Sequence, residues 1–263
     1  MQEQTSCVCE PETCDTFQFM SKKLRMQVLH PGGLQATRLM TEKCEISSNM
    51  IILDAGCGSG SSSIFLAKQY GCRVVGIDID PTSLMKANEK ARHKTALGRV
   101  AFRLADIDSF KLQDTIFDGA IFQASLIFCK EKARVIRAVS QMIRPGGFLG
   151  AVELAWKRPP PAEVLAEVKG VLCAAAVNAE LHDDWVVLFE NSGLEVENSE
   201  IHDLDFGFRF MLANEGLSST LRIALKCIFN QEARDRTRAI TNLFRETRAY
   251  LGFGIYVCRK PIV

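Results

Sequence analysis

The pattern of hydrophobic and polar positions changes near Met50. Before this point, apolar residues recur at helical spacing over 34–40, and the pattern predicts two helical pieces within 17–46, broken at His30-Pro31-Gly32-Gly33. After it, short apolar runs alternate with helical stretches of ten or more residues. This alternation is typical of βαβ units, and it predicts a parallel sheet covered by helices on both faces.

Five apolar runs are the predicted strands of this sheet: MIILDAGCG from Met50, CRVVGIDID from Cys72, VAFRLADI from Val100, FDGAIFQAS from Phe117 and FLGAVELAW from Phe148. Helices are predicted between them over Ser61–Tyr70, 81–97 and Glu131–Ile143, with a turn at Ile143-Arg144-Pro145-Gly146-Gly147. After Trp156 we expect helices over 162–178 and 183–192, a more polar strand LEVENSEIHDL, a helical insertion over 207–249 and a last strand GFGIYVCRK.

The composition narrows the class of protein. Of 263 residues, 47% are hydrophobic and 24% are charged, which is typical of a globular protein and excludes a disordered or fibrous chain. The 32 basic and 31 acidic residues give a net charge of +1, so a duplex nucleic-acid partner is not expected. No secretory signal or membrane-spanning stretch is visible, so we expect a cytoplasmic protein whose ten cysteines are thiols.

The strongest chemical signal is the segment Leu53-Asp54-Ala55-Gly56-Cys57-Gly58-Ser59-Gly60 between the first strand and its helix. Glycines at alternate positions let the backbone turn sharply and approach a ligand closely. The start of the following helix offers free N–H groups to a nucleotide-like ligand. The dinucleotide pattern Gly-x-Gly-x-x-Gly would need its third glycine at Ser61, so the spacing here differs from it.

This segment resembles motif I of the class I S-adenosylmethionine-dependent methyltransferases. The likeness continues in order along the chain. Asp78 matches the acidic residue that takes the ribose hydroxyls in that family, and Asp106 matches the one whose segment contacts the adenine. FDGAIFQAS is similar to the family's motif IV, and 143–147 resembles its Pro-Gly-Gly turn.

The resemblance implies an α/β fold: a doubly wound, seven-stranded Rossmann-like sheet with an antiparallel last strand and a helical insertion between the last two strands. It divides the chain into a Cys-bearing leader (1–16), a helical cap (17–46) and a methyltransferase domain (47–261). It also implies S-adenosyl-L-methionine as cofactor, with S-adenosyl-L-homocysteine as product. The residues expected to bind it are Asp54, Ala55, Gly56, Cys57, Gly58, Gly60, Asp78, Ile79, Ala105, Asp106, Ile107, Gln123, Ala124 and Ser125.

Some of these residues have structural alternatives. Asp54 either serves the cofactor or accepts backbone bonds at the strand end, and Asp78 either binds ribose or caps the next helix. The adenine-side carboxylate is Asp106, with Asp108 as the alternative. Cys57 is interpreted as a small residue that fits the loop, not as a nucleophile.

Three residues are candidates for catalysis. Glu153 ends the fifth strand at the edge where parallel sheets bind ligands, and it either orients or deprotonates an acceptor or caps a turn. His30 belongs to a His-Pro-Gly-Gly-x3-Thr37 segment that resembles a lead-in closing over the cofactor in several small-molecule methyltransferases; the alternative is a simple helix break. His182 precedes a helix and is either an acceptor-side group or an ordinary neighbour of Asp183.

A small-molecule acceptor is favoured. The chain has Gln123-Ala124-Ser125-Leu126 where enzymes that methylate planar amino groups carry Asn/Asp-Pro-Pro-Tyr/Phe. The insertion has a surplus of basic residues, including Arg234, Arg236 and Arg238, which form either a solvated face or a lid that attracts an acidic substrate. No membrane partner is expected, and the oligomeric state is left open.

Three other functions remain as alternatives. The thiols of Cys7, Cys9 and Cys14, with the separated Cys44, Cys173 and Cys227, suggest a thiol- or arsenite-type methyltransferase. Three thiols within eight residues suit a soft metal or trivalent arsenic, but a fourth nearby ligand is lacking, and a leader with free thiols is favoured. A NAD-type oxidoreductase is the second alternative, because such enzymes also have a glycine-rich turn between a strand and a helix. A non-catalytic partner protein that binds S-adenosylmethionine is the third alternative.

Overall fold

The computed structural model describes residues 15–93, 98–107 and 116–262. The strands are β1 (Ile51–Ala55), β2 (Arg73–Asp78), β3 (Val100–Leu104), β4 (Phe117–Gln123), β5 (Ile143–Trp156), β6 (Glu180–Leu181), β7 (Glu195–Asp203) and β8 (Leu251–Arg259). The helices are α1 (Asp15–Gln18), α2 (Gly33–Lys43), α3 (Ser61–Tyr70), α4 (Pro81–His93), α5 (Lys132–Met142), α6 (Ala162–Val171), α7 (His182–Glu190), α8 (Phe208–Phe229) and α9 (Gln231–Glu246).

The seven long strands form one sheet in the order β3-β2-β1-β4-β5-β8-β7. The strands β1 to β5 run parallel, whereas β8 is antiparallel to both of its neighbours, β5 and β7. The expected doubly wound sheet with its antiparallel last strand is therefore confirmed. The two-residue strand β6 was not expected; it pairs in parallel with Ala155–Trp156 at the end of β5.

Both faces of the sheet are covered by apolar side chains. On one face α2 packs on β5 and β8, and Met40 lies so close that a Cβ on Gly150 would come within 2.8 Å of its sulfur. The opposite face holds the larger core, with Trp185, Phe189 and Tyr256 buried together. Burial on two faces explains why the strands are apolar nearly throughout.

The N-terminal segment differs from its prediction. A single turn, α1, continues as a π-helix over Phe19–Lys23, and the chain is then irregular until α2 begins at Gly33. The helical break thus spans 24–32 instead of 30–33. The irregular backbone is stabilised by α8: the Glu215 carboxylate accepts the N–H groups of Gln27 and Val28, at 2.8 and 3.0 Å.

Two further boundaries differ from expectation. The predicted turn over 143–147 is the irregular start of β5, since Ile143 pairs with Phe117 and the regular register resumes only at Phe148. The helix predicted over 162–178 ends as α6 at Val171, and a 3₁₀ helix follows over Ala174–Asn178. The predicted helix over 81–97 reaches His93 as α4, and 94–97 lie outside the described residues.

The insertion between β7 and β8 is helical, as expected, and it consists of α8 and α9. It contacts the N-terminal segment directly. Arg222 donates to the carbonyl of Arg25 at 3.0 Å, and Lys23 forms an ion pair with Glu232 at 2.9 Å. No helix in the described part of the chain is long and apolar enough to span a membrane.

Candidate active site

A cavity of about 510 Å³ opens where the carboxyl ends of β1, β2 and β4 meet. This is the edge at which open parallel sheets bind ligands. The N-terminal segment and residues from the insertion form its other walls. The predicted site residues that line it are His30, Asp54, Gly56, Cys57, Gly58, Asp78, Ile79, Ala105, Asp106, Ile107, Gln123, Ala124 and Ser125.

The glycine loop turns into the cavity between β1 and α3. Gly56 and Cys57 both donate their N–H groups to the carbonyl of Ile77, at 2.9 Å, which fixes the loop against β2. Gly56 has φ +80°, and a Cβ there would meet the Ser125 side chain at 2.6 Å. A Cβ on Gly58 would meet no atom of residues 15–93, 98–107 or 116–262 within 4 Å, so at this point the backbone faces open space between the described parts of the chain. The loop is therefore anchored at its first glycine and accessible at its second.

Asp78 and Asp80 have different hydrogen-bond partners at the end of β2. Asp78 accepts the N–H of Gly58 at 2.7 Å and lines the cavity. Burial raises the pKa of the Asp78 carboxyl, although hydrogen bonds from the backbone N–H groups of Gly58 and Asp80 oppose the shift. Asp80 instead caps α4, since it accepts the N–H groups of Thr82 and Ser83 at 2.9 and 3.1 Å. The helix-capping alternative for Asp78 is thus taken by its neighbour.

Asp54 lies beneath the glycine loop, 2% exposed, with its carboxylate accepting the Ser63 hydroxyl of α3 at 2.5 Å. Burial raises the pKa of this carboxyl to about 7, and the charge of Asp78 adds to the shift. Its bond to Ser63 links β1 to α3. Asp54 therefore stabilises the loop from below as well as contributing to the cavity wall.

The turn after β4 is strained and firmly held. Ala124 has φ +53°, a left-handed conformation that costs a non-glycine residue on the order of 1 kcal/mol. The Ser125 hydroxyl donates to the carbonyl of Ala55 at 2.8 Å. Glu153 accepts the N–H groups of Ser125 and Leu126, both at 3.0 Å. Together these bonds hold the turn against the cavity.

The predicted catalytic role of Glu153 does not fit this arrangement. The side chain is fully buried behind the turn and is not part of the cavity wall. Burial raises the pKa of Glu153 to about 7, and its Oε2 has no hydrogen-bond partner among the residues that the structure describes. The sequence placed Glu153 at the correct edge of the sheet, but the side chain points into the core, where it positions the turn.

His30 lies in the cavity wall at the centre of a small polar network. Its Nε2 is 2.8 Å from the carbonyl of Gly33 and 2.9 Å from the hydroxyl of Thr37, which also accepts the Gln123 amide at 2.7 Å. A carbonyl only accepts, so Nε2 carries the proton and Nδ1 keeps its lone pair. Burial lowers the pKa of His30 to about 4, so the ring is neutral at pH 7.

The Pro31-Gly32-Gly33 turn explains how His30 reaches this position. Both glycines have left-handed φ angles, +67° and +59°. A Cβ on Gly32 would meet the Phe253 ring at 2.5 Å, and a Cβ on Gly33 would meet the Asn214 amide at 2.1 Å. Only glycine allows the chain to pass this close to β8 and α8.

The remaining predicted residues occupy different positions. Ala55 and Gly60 do not line the cavity: Ala55 is buried in β1, and Gly60 packs against the Phe102 ring, where a Cβ would come within 2.5 Å. His182 is also remote from the cavity wall, since its Nδ1 bonds to the Tyr256 hydroxyl at 3.0 Å and the rings stack. Asp106 is exposed at the cavity edge, and its alternative Asp108 lies outside the described residues.

The far end of the cavity is apolar, and the sequence analysis did not identify it. Its wall is built by the N-terminal helices, the segment after α6 and the insertion. The side chains involved include Phe17, Met20, Leu172, Phe206, Phe210 and Phe244. Because these residues come from four separated segments, no local motif marks them.

Other candidates fall outside this wall. The three arginines Arg234, Arg236 and Arg238 do not line the cavity. Arg236 lies over the Phe19 ring, with its guanidinium carbon 4.8 Å from the centroid. Arg234 donates to the carbonyl of Ile228 at 3.3 Å. Cys7, Cys9 and Cys14 lie outside the described residues. Cys44 and Cys227 are away from the cavity, whereas Cys173 lines its apolar end.

The chain is similar in sequence to known methyltransferases. The family described as "Methyltransferase domain" matches residues 52–147. The uncharacterized methyltransferase YodH of Bacillus subtilis is 30% identical over 187 residues, covering 67% of this chain and 76% of YodH. The O-methyltransferase cnsE of Penicillium expansum is 33% identical over 165 residues, covering 62% of this chain and 59% of cnsE.

A solved structure of phosphoethanolamine N-methyltransferase 2 from Haemonchus contortus, in complex with phosphomonomethylethanolamine and S-adenosylhomocysteine, has the same fold. The TM-score is 0.74 at 17% identity, covering 98% of this chain and 60% of that one. The fold is that of a methyltransferase. The chain belongs to the class I S-adenosylmethionine-dependent methyltransferase family. It spans about three fifths of the length of two of the curated relatives that it matches.

Proposed function

We propose that this protein transfers a methyl group from S-adenosylmethionine to a small-molecule acceptor by in-line displacement. The observation that supports this most is a single cavity with two different ends. One end is formed by the glycine loop and Asp78, and the other is apolar, with His30 in the wall. When bound, S-adenosylmethionine supplies a methyl group already activated on a sulfonium. The protein then has to align the acceptor and exclude water.

The first end suits the cofactor on three grounds. The backbone at Gly58 faces open space, as a cradle for a ligand requires. Asp78 presents a carboxylate beside it, and a carboxylate accepts hydrogen bonds from hydroxyl groups. The side-chain oxygen of Gln123 is buried and has no hydrogen-bond partner in the described part of the chain, and this residue lines the cavity. Gly58, Asp78 and Gln123 are the residues we propose to hold the cofactor, with Asp106 at its edge.

His30 is the residue we propose to orient the acceptor. Its Nε2 is committed to Gly33 and Thr37, and Nδ1 has no hydrogen-bond partner among the described residues. Since the pKa of His30 is lowered to about 4, the ring accepts a hydrogen bond at pH 7 but holds a proton weakly. It therefore aligns an acceptor O–H or N–H, and the acceptor's proton passes to solvent as the new bond to the methyl carbon forms.

The test is product formation with purified protein and methyl-labelled S-adenosylmethionine. An alcohol, a phenol, an amine, a thiol and arsenite are offered in parallel, starting with the oxygen acceptors because cnsE is named an O-methyltransferase. Acceptor-dependent S-adenosylhomocysteine, with label in the acceptor, is the expected result. Binding without turnover across all classes would favour the non-catalytic alternative, and binding of NAD alone would favour the oxidoreductase.

A further inference from the structure

The apolar end of the cavity has a composition that limits what it can accept. Phe17 and Met20 come from the N-terminal helices, and Leu172 and Cys173 follow α6. Phe206 lies just before α8, and the insertion contributes Phe210 of α8 and Phe244 of α9. The rings of Phe206 and Phe244 form an edge-to-face pair, with centroids 6.4 Å apart. This wall offers a ligand apolar surface, and aromatic rings stack well on such surfaces.

Charged side chains in the described cavity wall are confined to the other end or to the rim. Asp54, Asp78, Asp80 and Asp106 are all on the cofactor side. Two charged residues lie near the apolar end: Lys130 is exposed, and Asp205 is exposed and accepts the N–H of Gly207 at 2.7 Å, just before α8. Among the lining residues that the structure describes, Lys130 is thus the only lysine or arginine, and it is exposed, so the apolar end offers no buried cation.

The arginines of the insertion do not change this balance. Arg222 bonds the carbonyls of Leu24 and Arg25. Arg236 lies over the Phe19 ring and donates to the hydroxyl of Thr16, a residue of the wall, at 3.5 Å, but Arg236 itself does not line the cavity. An anionic acceptor would lose its hydration in the apolar end without gaining an ion pair. Burial of an unpaired charge is strongly unfavourable, and phosphate recognition normally uses arginine or lysine.

We infer that the acceptor is a neutral, largely apolar molecule, with its nucleophilic heteroatom beside His30 and its carbon skeleton against Phe206, Phe210 and Phe244. This inference rests on the proposed function, and it names the substrate class of the same site. The acceptor inferred for this chain thus differs from the phosphorylated ligand in the Haemonchus complex. It also differs from the acidic substrate that the basic composition of the insertion suggested.

The test uses two dyes that differ in one charged group. N-phenyl-1-naphthylamine is neutral, and 1-anilinonaphthalene-8-sulfonate carries the same rings with a sulfonate. Each is titrated by fluorescence into the full chain saturated with S-adenosylhomocysteine. We expect the neutral dye to bind at least ~10-fold more tightly, since the sulfonate has no partner inside. Excess phosphoethanolamine should not displace it.

Two variants locate the binding. Phe210 lines the cavity and Phe208 does not, although both belong to the same turn of α8, and Phe208 is exposed. We expect Phe210→Ala to weaken the neutral dye at least ~5-fold and Phe208→Ala to leave it within about 2-fold. Cys173 gives an independent signal: the dye should slow its alkylation by iodoacetamide, while Cys227, also half-buried but outside the wall, should react at an unchanged rate.

The outcomes separate the inference from the proposed function. Calorimetric binding of S-adenosylhomocysteine is measured on the same samples. If the cofactor product binds but the sulfonate dye is preferred, or phosphoethanolamine competes, the neutral acceptor is wrong and methyl transfer stands. If the neutral dye binds equally to both phenylalanine variants and leaves Cys173 unprotected, its site lies elsewhere and the inference fails. Absence of cofactor-product binding contradicts the proposed function itself.

Discussion

The two ends of the cavity are built in opposite ways. The cofactor end comes from consecutive strand ends, so a glycine loop and carboxylates spaced along the sequence meet at one edge of the sheet. The apolar end comes from the N-terminal segment, the stretch after α6 and the insertion, which meet only in the folded chain. The comparison teaches that a shared fold dictates the first end, whereas added segments set the second and with it the acceptor.

The largest expected effect is at the glycine loop. Gly56→Val places a Cβ 2.6 Å from the Ser125 side chain at φ +80°, so we expect binding of S-adenosylhomocysteine to fall by ~1,000-fold, about 4 kcal/mol. The matched control is Gly170→Ala in α6, where a Cβ meets nothing within 4 Å. It should bind normally and gain up to ~1 kcal/mol of stability. Equal losses of binding in both variants would show that the close approach at Gly56 does not determine cofactor binding.

Glu153 tests whether the turn after β4 is positioned from the core. Its pKa is raised from 4.5 to about 7, because the folded state favours the protonated side chain. Its contribution to the free energy of unfolding is therefore present below pH 4.5 and is lost as pH rises through 7. Glu153→Gln removes this ionisation, and its stability relative to wild type should therefore increase by roughly 3 kcal/mol between pH 4 and 8. Urea unfolding across this range measures it, with the exposed Glu163→Gln as control; a constant difference would argue against the buried position.

His30 lies in the wall on the acceptor side of the cavity, and its replacement should affect turnover more than cofactor binding. We expect His30→Asn to lower kcat by ~100-fold while the Kd for S-adenosylhomocysteine changes less than about 3-fold. Because the pKa of His30 is about 4, kcat of the wild type should show no titration between pH 6 and 8 from this residue. A His30-dependent inflection near pH 6.5 would show that the ring is not buried as described.

The smallest effect is expected at Asp80. Asp80→Ala removes the side chain that accepts the N–H groups of Thr82 and Ser83 at the start of α4. Thermal unfolding should show a loss of about 1 kcal/mol, with cofactor binding nearly unchanged. If Asp80→Ala weakened binding as strongly as replacement of Asp78, the division of roles between the two carboxylates would be wrong.

The sequence predicted the sheet and the glycine loop because both depend on local patterns: alternating strand and helix periods, and glycines that must turn at a strand end. It did not predict that Glu153 points into the core, since membership of a strand does not tell which neighbours the side chain meets. The π-helix over Phe19–Lys23 and the irregular backbone after it depend on bonds to α8, nearly 200 residues away in sequence. The apolar end depends on such tertiary contacts throughout.

The central claim is that cofactor and acceptor occupy separate ends of one cavity. Calorimetric titration of S-adenosylhomocysteine into wild type, Asp78→Ala and Phe210→Ala tests it most directly, with NAD as the parallel ligand. We predict micromolar binding to wild type, a loss of ~10-fold or more in Asp78→Ala, and no change in Phe210→Ala or response to NAD. Equal binding to wild type and Asp78→Ala, or a comparable loss in Phe210→Ala, would contradict the two-ended site.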